Sequence, residues 1–260
     1  MPVTTSPKSR DEVPWNGSAD SLRASARRSL SIVLPAYNEE RRLPGTLREI
    51  RTFLNGGGYD AEVIVVDDGS TDRTLEAVRA MLIEMPTLRV FTYPKNRGKG
   101  FAVREGILEA TRDAILFSDA DLSTPISEVE RLWPWMDRGN HVVIGSRGLP
   151  LSDIQLAQPA HRRLMGEVFR RALGLLGIRG YADTQCGFKL FHAPVAKRLF
   201  GSLRTHGFAF DVEILCRARR LGLRTAEVPI RWRDSPGSKV RPLVDSFRML
   251  AEVMRIREIL

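Results

Sequence analysis

The sequence predicts an α/β fold, a mainly parallel central sheet with helices on both faces. Two observations carry this. Short apolar, β-branched runs recur from Ser31 onward, and each is followed by a segment with helical spacing of its apolar residues. Strands that read as continuous apolar runs are buried on both faces, which is how parallel strands joined by crossover helices read. The chain has 260 residues, 43% hydrophobic and 27% charged, enough for a substantial core.

The elements follow in order. Residues 1–29 are rich in Ser, Pro, Arg and Asp without a sustained period and read as a disordered leader. SIVLP (31–35) is the first strand, and Leu43, Leu47, Ile50 and Leu54 mark a helix over 39–54 that stops at the glycine run 56–58. AEVIVVDDG (61–69) is a strand ending on two carboxylates, after which Ser70 or Thr71 can cap a helix over 71–84. The cycle repeats through LRVFTY (88–93), a helix at 99–111, AILFSDAD (114–121), a helix at 125–138 and HVVIGSR (141–147). Beyond Arg147 the spacing predicts a loop (148–158), a helix at 159–177, a turn-rich stretch at 180–191, a helix near 210–221, a strand at 224–232 and an amphipathic helix at 243–259. The domain divides into halves, 30–147 and 148–260.

Charge separates those halves. The net charge is +9, yet residues 1–146 carry 19 Lys and Arg against 21 Asp and Glu, and residues 147–260 carry 21 against 10. A basic excess confined to one half points to an anionic partner: nucleic acid, lipid phosphate or a phosphorylated substrate. Nucleic acid is disfavoured because there is no recognition-helix, RNP-like or zinc pattern. No apolar run reaches the roughly 18–20 residues that span a bilayer. Two cysteines, Cys186 and Cys216, cannot make a disulfide framework.

In open parallel sheets ligands sit beyond the carboxyl ends of the strands. Three successive strand ends here carry polar groups: Pro35 to Glu39, Asp67-Asp68-Gly69-Ser70, and Asp119-Ala120-Asp121. One such end is often only a helix cap, whereas three on one edge indicate a site. Asp119 and Asp121, two residues apart after a buried strand, can reach one hard divalent cation, which would bridge a diphosphate and neutralise its charge. Asp67 and Asp68 also resemble the acidic pair of a receiver domain, but no Lys-Pro follows the fifth strand. A dinucleotide oxidoreductase lacks its Gly-x-Gly-x-x-Gly after the first strand.

Taken together, SIVLPAYNEE, VIVVDDGSTDRT, NRGKGFAVREGI, FSDADLS and VIGSR resemble the successive signatures of family 2 inverting glycosyltransferases with the GT-A (nucleotide-diphospho-sugar transferase) fold. The later DTQCGFKLF, FAFDVEIL, EVPIRW and GSKV resemble the polyprenyl-phosphate branch, the dolichyl-phosphate glucosyl- and mannosyltransferases, with DTQCGFKLF nearest the β-glucosyl version. The resemblance spans about 31–245. It implies that Pro35, Tyr37 and Glu39 hold base and ribose, that Asp67 or Asp68 lies beside the base, and that Lys99 lies near the donor. It implies that Asp119, Ala120 and Asp121 hold the diphosphate, Asp119 and Asp121 through Mg²⁺ or Mn²⁺. Arg147, Arg163 (or Arg162), Lys189 and Lys239 are expected near the acceptor phosphate and donor diphosphate; Asp211 and Glu213 match an acidic cluster of unassigned role.

The implied reaction moves a hexose with inversion from a nucleotide sugar, UDP-glucose first and GDP-mannose second, to dolichyl or polyprenyl phosphate. A soluble family 2 enzyme with a saccharide or small acceptor is the alternative. Chemistry agrees: a phosphate monoester is anionic near neutral pH and needs no strong base, so the demand is to bring two anions together. The basic half would then rest peripherally on the cytoplasmic face of a membrane. Arg170, Arg171, Arg248, Arg255 and Arg257 on the 159–177 and 243–259 helices would lie at that interface, or pack with a membrane partner or second copy. Cys186 reads as a small packing residue.

Overall fold

The computed structural model describes residues 27–156, 166–168, 170, 171, 173, 174, 178–235 and 242–255, with side chains of 242–247 excepted. Most of the 1–29 leader and of the 159–177 helix, and the expected site residues Arg162, Arg163 and Lys239, lie outside them.

The first half follows the expected alternation: β1 (Arg28–Ala36), α1 (Leu43–Gly56), β2 (Tyr59–Asp67), α2 (Thr74–Met81), β3 (Leu88–Thr92), α3 (Lys99–Glu109), β4 (Ala114–Ser118), α4 (Val129–Asp137) and β5 (Val142–Ser146). The second half adds β6 (Asp153–Leu156), β7 (Phe188–His192), α5 (Ala193–Gly201), α6 (Phe210–Arg220), β8 (Thr225–Pro229), β9 (Arg231–Arg233) and α7 (Pro242–Arg255). A seven-stranded sheet has the order β3-β2-β1-β4-β7-β5-β8, and β6 pairs with β9 in a parallel two-stranded ribbon.

Side-chain alternation along the strands builds the two faces. Ile32, Leu34, Val63 and Val65 pack with Leu43, Leu47 and Ile50 of α1 and with Val78 of α2. Val33, Ile64 and Val66 point the other way, into Val103 and Ile107 of α3 and Leu199, Phe200 and Ile214 of α5 and α6. All these side chains are solvent-inaccessible or nearly so, and burial of each Val, Leu, Ile or Phe stabilises the fold by roughly 1.5–3 kcal/mol.

Several sequence expectations are corrected. Strand β1 begins at Arg28 rather than Ser31, because Arg28 to Leu30 pair in register with Tyr59 to Ala61. Neither Ser70 nor Thr71 caps α2, which starts at Thr74; Ser70 Oγ instead accepts from Asn38 N at 2.8 Å, tying the first two strand ends together. The 180–191 stretch contains β7, antiparallel to both β4 and β5, which breaks an otherwise parallel sheet. Helix α5 was not expected, and the 148–158 loop contains β6. The 224–232 strand is two strands: Thr225–Pro229 pairs with β5, and after Ile230 the chain leaves to pair Arg231–Arg233 with β6. Pro229 brings no N–H to continue a ladder, which suits the crossing point.

Candidate functional site

The carboxyl ends of β1, β2 and β4 open into one cleft of about 490 Å³. Pro35, Tyr37, Glu39, Asp68, Lys99, Asp119, Ala120 and Asp121 all line it. Residues as far apart in sequence as Pro35 and Asp121 thus meet because the three parallel strands are neighbours and end at one level.

The β1 end is held by hydrogen bonds across to the β2 end. Asn38 adopts a left-handed φ of 55° and its Oδ1 accepts from Thr71 N at 2.7 Å, while Glu39 N donates to Thr74 Oγ1 at 2.7 Å. The Glu39 carboxylate takes a bidentate pair from Arg42, both contacts 2.7 Å. Of the two aspartates ending β2, Asp67 works inside the fold: its Oδ2 accepts from Thr92 Oγ1 at 3.0 Å and it does not line the cleft. Asp68 lines the cleft and accepts from Arg97 N at 2.9 Å and Gly98 N at 2.7 Å. Burial pushes its carboxyl up, against those two amides. The bonds fix the segment leading into α3, whose first residue is Lys99. Gly98, at φ 108°, lies where a Cβ would come within 2.4 Å of the His206 carbonyl. Only glycine lets α3 start this close to the 205–207 turn.

Beyond β4, Asp119 Oδ1 pairs with Lys99 Nζ at 2.7 Å and Asp119 N donates to Gly187 O at 3.0 Å. Thr46 Oγ1 of α1 donates to Ala120 O at 2.7 Å, and Ser123 N donates to Asp121 Oδ1 at 3.0 Å. Burial and the nearby charge of Asp119 both push the Asp121 carboxyl up. Burial alone would push the Lys99 ammonium down, but Asp119 and Asp211 override it and keep it charged. Two mutually repelling carboxylates, oxygen-only and open to the cleft, form a donor set that suits one hard divalent cation. Among the described residues no group of three or more His, Cys, Asp or Glu converges on one point, so these two carboxylates alone do not fill a cation's shell.

The expected basic residues are placed differently. Lys189 is 1% exposed, with its Nζ 2.6 Å from Asp211 Oδ1 and donating also to the Cys186 carbonyl; it does not line the cleft. The placement has a physical cause. Antiparallel β7 turns this lysine into the interior, and Asp211 neutralises it there. Glu213, the second member of the acidic cluster, is fully buried, accepts from Arg204 N and Thr205 N and pairs with Arg217, fixing the turn that meets Gly98. Arg147 is bidentate to Asp183 at 2.6 and 2.9 Å and also stays out of the cleft lining. Burial would push Asp183 up, but Arg147 overrides it and holds the carboxyl at about 2. Cys186 is buried, and desolvation pushes its thiol up to about 12, which leaves it an inert packing residue.

Sequence reasoning missed Arg42, Asn96, Gly187 and Glu252, and it assigned Arg248 to an interface rather than to the cleft that it lines. Gly187 does not contact the cleft as a side chain, yet a Cβ there would lie 2.0 Å from Asp119 Oδ2. Its signal was the glycine inside DTQCGFKLF. Arg248, Met249 and Glu252 of α7 line the cleft, so the expected interface helix closes one wall of the site.

Residues 31–200 match the family model described as Glycosyl transferase family 2. The chain is 37% identical over 240 residues to a dolichyl-phosphate beta-glucosyltransferase of Dictyostelium discoideum, covering 88% of this chain and 73% of that protein. It is 36% identical over 252 residues to that of Homo sapiens, covering 91% and 77%. The structure is similar to Mycobacterium tuberculosis glucosyl-3-phosphoglycerate synthase in complex with Mn²⁺, UDP-glucose and phosphoglyceric acid, with TM-score 0.69, 23% identity and coverage of 96% and 86%. The fold is the GT-A fold, and the chain belongs to glycosyl transferase family 2.

Proposed function

We propose that the protein transfers glucose, with inversion, from UDP-glucose to dolichyl or a related polyprenyl phosphate. The observation that carries this is the single cleft in which Asp119, Asp121 and Lys99 meet the β1 and β2 ends, in a chain 36–37% identical to dolichyl-phosphate beta-glucosyltransferases over most of its length. Tyr37, Glu39 and Asp68 are positioned to hold base and ribose, with Pro35 shaping the same wall. Lys99 holds Asp119 in place and presents positive charge toward a diphosphate. A Mg²⁺ or Mn²⁺ ion on Asp119 and Asp121 would screen the donor diphosphate and ease its departure. The acceptor phosphate supplies its own nucleophilic oxygen, and among the described residues no histidine lines the cleft. In-line attack on the anomeric carbon converts an α-linked donor into a β-linked product.

Arg147 acts from outside the cleft. Its charge reaches Asp119 while Asp183 holds its guanidinium in place. Among the described residues no helix is long and apolar enough to cross a membrane. The basic second half then serves peripheral attachment to the cytoplasmic face of the bilayer that holds the acceptor.

The test is incubation with labelled UDP-glucose and GDP-mannose, Mg²⁺ or Mn²⁺ and a short polyprenyl phosphate, followed by organic extraction. Label from UDP-glucose in the organic phase is expected. Label from GDP-mannose instead would overturn the sugar, and label from neither would overturn the acceptor class.

A further inference from the structure

Three cations line the cleft among the described residues: Arg42, Lys99 and Arg248. Arg42 is committed to Glu39 and Lys99 to Asp119, each at 2.7 Å. Arg248 is exposed and, among the described residues, makes no salt bridge; its charge acts on Glu252 one turn along, whose carboxylate is itself bonded to the Ala209 amide. It stands on α7, in the basic half, whereas the carboxylate pair and Lys99 come from the first half.

Its position is fixed by the rest of its helix. Met249 and Val253 are buried with Leu173, Ile178, Ala209 and Val212. One turn after Arg248, Glu252 Oε2 accepts from Ala209 N at 3.2 Å, and a Cβ on Gly207 would come within 2.2 Å of Glu252 Oε1. Glu252 is therefore occupied in docking α7 onto the 207–209 turn. That same turn receives α3, since Gly100 N donates to Gly207 O at 3.3 Å. Lys99 and Arg248 are thus set by one turn, on two walls of one cleft.

We infer that Arg248 binds the phosphate monoester of the acceptor, with α7 as the acceptor-side wall of the site. This rests on the proposed transfer to a polyprenyl phosphate. The donor diphosphate would have its countercharge in the cation that Asp119 and Asp121 would hold, with Lys99 tied to Asp119 beside it. The second anion needs a cation not already neutralised by a carboxylate, and a guanidinium offers a planar fork for two phosphate oxygens. Arg163 and Lys239 lie outside the described residues, and Lys189 is buried on Asp211, which leaves Arg248 as the described cation that meets the requirement.

The test uses the full chain loaded with UDP and Mn²⁺. Farnesyl phosphate is titrated calorimetrically, and glucosyl transfer to it is followed in parallel. Arg248→Ala is expected to weaken farnesyl phosphate binding and raise its apparent KM by about ten- to a hundred-fold, as for loss of one or two charge-assisted hydrogen bonds. UDP affinity should stay within two-fold and Arg248→Lys should restore part of the loss. Unchanged farnesyl phosphate affinity in Arg248→Ala, no binding by the wild type, or a loss confined to UDP would each overturn the inference. Wild-type binding that depends on Arg248, without glucosyl transfer, would uphold the subsite while refuting the proposed reaction.

Discussion

Replacing Gly187 by alanine adds one carbon at a position remote in sequence from the acidic pair, and it should disable the site. The new Cβ would lie 2.0 Å from Asp119 Oδ2 and 2.2 Å from its Cγ. Going from 2.0 Å to the 3.4 Å of ordinary van der Waals contact moves the carboxylate by about 1.4 Å. Asp119 cannot rotate away freely, because its Oδ1 holds Lys99 and its backbone N–H is bonded to the Gly187 carbonyl itself. A misplacement near 1 Å costs on the order of 100-fold in rate, or about 2.7 kcal/mol of barrier. Overpacking adds a stability loss of about 1–3 kcal/mol. The assay is glucosyl transfer from labelled UDP-glucose under saturating divalent cation, with thermal unfolding in parallel. Gly201→Ala is the control, since nothing lies within 4 Å of a Cβ there. Activity of Gly187→Ala within about three-fold of wild type would refute the reasoning, showing that the position of the Asp119 carboxylate does not govern turnover.

Other outcomes follow from the same geometry. Asp121→Asn should abolish turnover while leaving the unfolding transition in place, and chelation by EDTA should do the same reversibly, with activity returning on addition of Mn²⁺ or Mg²⁺; turnover in excess EDTA would sink the cation's role. Lys189→Ala strands a buried Asp211 and should destabilise the fold by about 3–5 kcal/mol in denaturant titration. The KM for polyprenyl phosphate should hold in the folded fraction, and a selective rise would return Lys189 to the acceptor site. Burial would push Glu62 up, but hydrogen bonds from Ser31, Arg89 and Thr111 override it and hold the carboxyl at about 2. A depressed carboxyl stabilises the fold above its unfolded value near 4 and loses that contribution as pH falls from about 4 to about 2. Glu62→Gln should therefore lose stability at pH 7 and show a shallower acid limb in urea unfolding across pH 7, 4 and 3.

The strand ends were legible in the sequence for a physical reason. A parallel strand covered on both faces must be apolar throughout, so the first polar residues after it mark its carboxyl edge. Asp68, Asp119 and Asp121 stand at such edges, and the structure brings them into one cleft. Asp67 shows the resolution limit of that rule: one residue earlier than Asp68, it turns inward to Thr92. Strand β7 was hidden because it is five residues long, carries a lysine at its second position and follows a turn-rich segment. Its identity as a strand depends on neighbours β4 and β5 that are distant in sequence. The 243–259 helix was recognisable by its apolar spacing, but the same spacing suits burial against protein or membrane.

From the amino-acid order alone came the α/β alternation, the polar rim and the two carboxylates beyond β4, because each is set by local hydrophobic pattern. Tertiary packing decided which charges are spent and which remain usable. It turned Lys189 inward onto Asp211, coupled Asp119 to Gly187 and Lys99, and used Met249, Val253 and Glu252 to seat α7 with Arg248 at the cleft. Neutralisation of a charge depends on distance through space, and no spacing along the chain encodes that distance.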